Sequence, residues 1–86
     1  MAWVYLLRCG DGTLYCGWTV DLDARLAAHN AGRASRYTRS RLPVQLAWSV
    51  RQPDRSAARR EEARIKALPR AAKLALIAAA VPCAPC

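Results

Sequence analysis

The chain has 86 residues, room for one domain whose core buries roughly 60–65% of the surface its unfolded form would expose. Its 14 Lys and Arg residues against 6 Asp and Glu give a net charge of +8, so its surface attracts polyanions, nucleic acid first, and repels cations. The N-terminal apolar run meets Arg8 too soon for a signal peptide, and no run approaches membrane-spanning length. A cytoplasmic protein without a membrane contact is the expectation.

Residues 2–9 read as a strand that is apolar on both faces, hence central, with Trp3, Tyr5 and Leu7 on one side and Val4 and Leu6 on the other. Gly10, Asp11 and Gly12 supply turn chemistry, and residues 13–19 resume with aromatic and β-branched side chains, which predicts a hairpin. A three-residue loop would set Leu7 against Tyr15 and Tyr5 against Gly17, projecting both tyrosines from one face, whereas a two-residue loop would separate them. The three-residue register also points Cys9 and Cys16 to opposite faces, against a disulfide.

Asp21 caps a predicted helix over 21–30, with Leu22 and Leu26 on its buried stripe and Gly32 just beyond its end. Arg25 and His29, four apart, share a face of it. Residues 33–41 hold Arg33, Arg36, Arg39 and Arg41 without an acid, interleaved with Tyr37, Thr38 and serines. Such forked cations and donors suit phosphates, and these residues are the candidate nucleic-acid contacts. Tyr37 either stacks on a base or packs beneath the loop.

Residues 44–50 predict a third strand, with Val44, Leu46, Trp48 and Val50 alternating against Gln45, Ala47 and Ser49. Asp54 opens a helix to about residue 68, and Pro69 separates it from a last helix over 70–80. The fold expected is α+β, a small three-stranded antiparallel sheet flanked by about three helices, as one domain over 1–80 with a loose Cys/Pro tail over 81–86. Cys83 and Cys86 have metal-ligand spacing, but their place between prolines at the terminus favours a reduced tail over a zinc site.

The order of these parts resembles the GIY-YIG nuclease family, specifically its small stand-alone bacterial members. Trp3-Val4-Tyr5 stands for the first motif and Tyr15-Cys16-Gly17 for the second. Residues 21–30 form the arginine helix, Arg36-Tyr37-Thr38 the loop, and residues 62–68 the glutamate helix. Trp3 stands where the family has glycine and Cys16 where it has isoleucine. The family's late asparagine has no evident counterpart, since Asn30 is the one asparagine in the chain.

The resemblance implies a metal-dependent endonuclease acting on branched or damaged DNA in repair or recombination, with catalytic residues Tyr5, Tyr15, Arg25, His29 and Glu62. Glu62 would hold Mg2+ or Mn2+, because a hard carboxylate with several waters suits such ions. Arg25 would place a permanent forked charge on the phosphoryl oxygens. The two tyrosines would position the attacking water, with Tyr5 chosen as base. Helical periodicity does not separate Glu61 from Glu62, and only the family spacing selects Glu62. Composition admits RNA as well as DNA, and a protein partner that supplies specificity is left open. The rival readings are a nucleic-acid-binding module that does not cut, and a redox or zinc protein built on the four cysteines.

Overall fold

The computed structural model describes residues 1–80, with the strands β1 (Ala2–Arg8), β2 (Leu14–Thr19) and β3 (Gln45–Gln52) and the helices α1 (Leu22–Asn30), α2 (Arg36–Arg39), α3 (Arg55–Lys66) and α4 (Arg70–Ala80). The tail expected over 81–86, with Cys83 and Cys86, lies outside the described residues. The strands form one antiparallel sheet in the order β2-β1-β3, so the doubly apolar β1 is central as its composition requires.

The hairpin takes the three-residue register. Cys9 N–H bonds to Thr13 O at 2.9 Å and Gly12 N–H to Cys9 O at 2.9 Å. Gly12 sits at φ +86°, the left-handed conformation that closes such a loop and that only glycine adopts without strain. Leu7 therefore pairs with Tyr15 and Tyr5 with Gly17. Alternation along β1 then divides the core in two. Val4, Leu6 and Cys16 join Ala58 and Ile65 of α3 and Ile77 of α4 on one face. Tyr5, Leu7 and Cys9 join Val44, with Tyr15 and with Leu22 and Leu26 of α1, on the other. Cys9 and Cys16 are buried on opposite faces as free thiols.

Helix α1 begins where Asp21 accepts Ala24 N–H at 3.1 Å. It ends in a glycine cap: Gly32, at φ +78°, donates to His29 O at 3.0 Å and Arg33 to Ala28 O at 2.9 Å. Asp54 caps α3 by accepting Ala57 N–H at 2.8 Å.

Two features depart from the sequence pattern. The basic segment contains the single turn α2, nucleated by Ser35, whose Oγ accepts Tyr37 N–H at 3.1 Å. The expected alternation of residues 44–50 is interrupted, because a bulge between Leu6 and Leu7 skips Ala47 and reverses the facing of β3. Val44 consequently packs on the α1 face while Trp48 and Val50 pack on the α3 face, and Leu46 is left exposed.

Candidate active site

The site grows from the second motif. Tyr5 and Gly17 are direct cross-strand partners, and a Cβ on Gly17 would lie 2.5 Å from Tyr5 Oη and 2.7 Å from Tyr5 Cζ. Glycine is there because the Tyr5 ring crosses the neighbouring strand at that point. So guided, the Tyr5 hydroxyl reaches His29 Nε2 at 2.9 Å, and His29 Nδ1 lies 2.8 Å from Thr38 Oγ1. Tyr5, His29 and Thr38 expose 2%, 1% and 0% of their surfaces, and both ring nitrogens of His29 are satisfied by Tyr5 and Thr38 rather than by water.

The direction of the bonds follows from the last partner. In the tautomer where Thr38 Oγ1 donates to Ser35 O, 3.4 Å away, it accepts from His29 Nδ1–H. The Nε2 lone pair is then free to accept the Tyr5 proton. Burial holds the His29 pKa below its ordinary value, and the Arg25 charge adds to this, so the imidazole is neutral near pH 7. Burial, followed by the neighbouring Tyr15, raises the Tyr5 pKa, while Arg25 pulls it down. A free phenolate at Tyr5 is therefore disfavoured, and the buried hydroxyl is instead hydrogen-bonded to a neutral base.

A column of rings extends from this triad towards solvent. Tyr15 meets His29 edge-on with centroids 5.3 Å apart, and Tyr37 stacks on Tyr15 at 5.7 Å. The Arg41 guanidinium lies 4.0 Å from the Tyr37 centroid, and Arg41 Nε is 3.0 Å from Asp11 in the hairpin turn. Tyr37 thus packs against Tyr15 and Arg41 while 37% of its surface stays exposed. Thr38 faces inward: a side chain expected to contact nucleic acid is wholly buried against His29. Arg33, Arg36 and Arg39 are exposed.

Arg25 is exposed on α1 and lines a groove with Trp18, Thr19, Val20 and Arg55. Glu62 comes from the other layer, where α3 packs on β1 and β2; its backbone carbonyl is 3.9 Å from Cys16 Sγ. Among the described residues Glu62 makes no hydrogen bond to the tyrosine cluster and pairs instead with Lys66. The structure separates the two glutamates. Glu61 is held by Arg64 in a two-pronged pair at 2.9 and 2.6 Å, whereas Glu62 makes a single contact with Lys66 at 3.4 Å and lines an open groove with Ser56, Arg59, Arg60 and Ala63. Among the described residues no three His, Cys, Asp or Glu side chains cluster. A half-buried carboxylate that opens on a solvent groove fits a hard divalent ion that keeps most of its waters. Cys16 is no rival nucleophile, since burial pushes its thiol pKa up to about 11.

Asn30 has a structural task. Its amide accepts Val44 N–H at 2.8 Å and donates to Val44 O at 3.1 Å, closing the basic segment against α1. The partnership of Thr38 with His29 and the clearance at Gly17 both escape the sequence reading. A threonine among arginines gives no signal of burial, but the Tyr5 and Gly17 register, followed through, points to the close approach.

Comparison with known proteins bears on the family and the fold. Residues 1–75 match the family model described as the GIY-YIG catalytic domain. A UPF0213 protein of Streptococcus sanguinis is 50% identical over 76 residues, covering 88% of this chain and 87% of that one. A UPF0213 protein of the archaeon Natronomonas pharaonis is 46% identical over 76 residues, covering 88% and 89%. The solution structure of the UPF0213 protein BH0048 from Bacillus halodurans superposes with a TM-score of 0.61 at 37% identity, over 93% of this chain and 86% of that one.

Proposed function

Because the chain belongs to the GIY-YIG nuclease family, we propose that it is a divalent-metal-dependent endonuclease that hydrolyses phosphodiester bonds in DNA, selecting by the shape of branched or damaged substrates. The observation that carries this is the buried Tyr5–His29–Thr38 chain, which aims a neutral imidazole at a tyrosine hydroxyl beside the Arg25 charge.

In this account Tyr5 relays a proton. The attacking water gives a proton to Tyr5 Oη as Tyr5 gives its own to His29 Nε2, so that no free phenolate forms and the positive charge ends on the imidazole. The hydroxide oxygen bonds to phosphorus, the bond to the leaving alkoxide breaks, and that oxygen is protonated from solvent. Thr38 holds the Nδ1 proton and so keeps Nε2 available as acceptor. Tyr15, braced between His29 and Tyr37, orients the water. Arg25 stabilises the charge that accumulates on the non-bridging oxygens. Glu62 would hold Mg2+ or Mn2+, which when bound lowers the barrier by neutralising charge on the phosphate and leaving oxygen.

The test is a labelled panel of single-stranded, duplex, flap and four-way-branched DNA and single-stranded RNA, incubated with magnesium, manganese or EDTA. Metal-dependent products that favour one DNA shape support the proposal. Salt-sensitive binding without products under any metal would move the assignment to a binding module.

A further inference from the structure

The basic segment over 33–41 was the expected nucleic-acid contact, but part of it is committed inward, and a second basic surface lies on α3. The charges of that helix are unevenly used. In its C-terminal half Arg64 is paired with Glu61 and Lys66 with Glu62. In its N-terminal half Arg55, Arg59 and Arg60 are exposed and enter none of the salt bridges among the described residues. Asp54, next to Arg55 in sequence, has one carboxylate oxygen engaged in capping the helix.

These three arginines are also placed in relation to the site. Arg55 shares its groove with Arg25, and Arg59 and Arg60 share theirs with Glu62. Both grooves draw residues from α3, Arg55 to one and Ser56, Arg59 and Arg60 to the other, and each contains one of the residues assigned to the reacting phosphate. Arg55 and Arg59 stand four apart and project from the same helical face. A polyanion whose scissile phosphate lies between Arg25 and Glu62 would find forked donors for the phosphates beside it.

We propose that Arg55, Arg59 and Arg60 form a backbone-binding track for duplex DNA, seating the phosphates that flank the cleaved bond; this rests on the nuclease assignment for its direction but not for its measurement. The track makes no base-edge contact by itself, so it supplies affinity and register rather than sequence choice.

The experiment measures binding of a fluorescein-labelled 20-bp DNA duplex in EDTA between 50 and 200 mM salt. It compares wild type, Arg55→Ala/Arg59→Ala, and Arg8→Ala/Arg51→Ala, a control pair that removes the same charge from exposed sheet positions. The track predicts that the α3 pair lowers the slope of log affinity against log salt by about 2, near 0.9 for each lost phosphate contact, and that the control pair leaves it near wild type. A wild-type slope in the α3 pair, or equal losses in both pairs, overturns the proposal. Circular dichroism confirms folding of each variant. Because EDTA suppresses turnover, a protein that never cuts but shows the α3 effect would refute the nuclease assignment and leave the track standing.

Discussion

Thr38→Val keeps the branched shape of a fully buried side chain and removes only its hydroxyl. The His29 Nδ1–H, 2.8 Å away in the native protein, then has no acceptor and no access to water. An unsatisfied buried donor costs about 1–3 kcal/mol. In a domain of this size each kcal/mol lowers the melting midpoint by about 4–8 °C. The imidazole can escape part of that loss by moving its proton to Nε2, but this faces a donor to the Tyr5 hydroxyl and removes the acceptor on which the proposed relay depends. Thr38→Val should therefore melt earlier, show an altered tautomer in 15N imidazole spectra, and cut DNA poorly. Thr38→Ser retains the oxygen and loses one methyl, about 0.8 kcal/mol of burial, and should keep both tautomer and activity. A Thr38→Val protein with the native midpoint and native tautomer, or a Thr38→Ser protein damaged to the same degree, would show that the Thr38 hydroxyl does not hold the imidazole.

Other outcomes follow from the same geometry. Gly17→Ala places a methyl 2.5 Å from Tyr5 Oη, so the ring must shift; stability should fall by about 1–3 kcal/mol, and 15N spectra should report a changed His29 environment, whereas an unchanged His29 signal would count against the clearance role. His29 has a folded pKa below its ordinary 6.5, so the unfolded chain takes up its proton first as pH falls. His29 should thus cause stability to decline below about pH 6.5 and contribute no slope above it, and urea melts of wild type and His29→Gln from pH 4.5 to 8 should differ in that window alone. The cleavage rate should likewise rise with pH to a plateau whose midpoint lies below 6.5 and vanish as a feature in His29→Gln. Arg41→Ala frees Tyr37 from its cation and from the Asp11 tie; it should raise the mobility of residues 33–41 in hydrogen exchange and reduce turnover more than DNA affinity, while a uniform loss of affinity alone would make Arg41 a phosphate contact instead.

The sequence carried most of the scaffold because its signals were local. Asp21, Gly32 and Asp54 mark helix ends by capping chemistry, Gly10-Asp11-Gly12 marks the hairpin, and the hairpin register alone brings Tyr5 and Tyr15 to one face. What it hid were effects of tertiary approach. The β3 bulge, which exchanges Val44 and Trp48 between the two cores, depends on a mismatch with β1 that no pattern inside β3 records. Thr38 and Arg41 looked like equal members of a basic loop, and only the single turn of α2 sends one inward to His29 and the other across to Asp11. Periodicity inside α3 does not tell Glu61 from Glu62, and the family spacing selects Glu62; the different partners of the two, Arg64 for Glu61 and Lys66 for Glu62, are visible only in the structure.

Single-turnover cleavage of the best DNA substrate with manganese or magnesium, comparing wild type with Glu62→Ala and Arg25→Ala and measuring DNA affinity beside it, decides whether these residues form a metal-dependent nuclease site. The account predicts metal-dependent cuts that slow about 100-fold or more in each variant while affinity changes little. Cleavage that persists in EDTA, or that neither substitution slows, would contradict it.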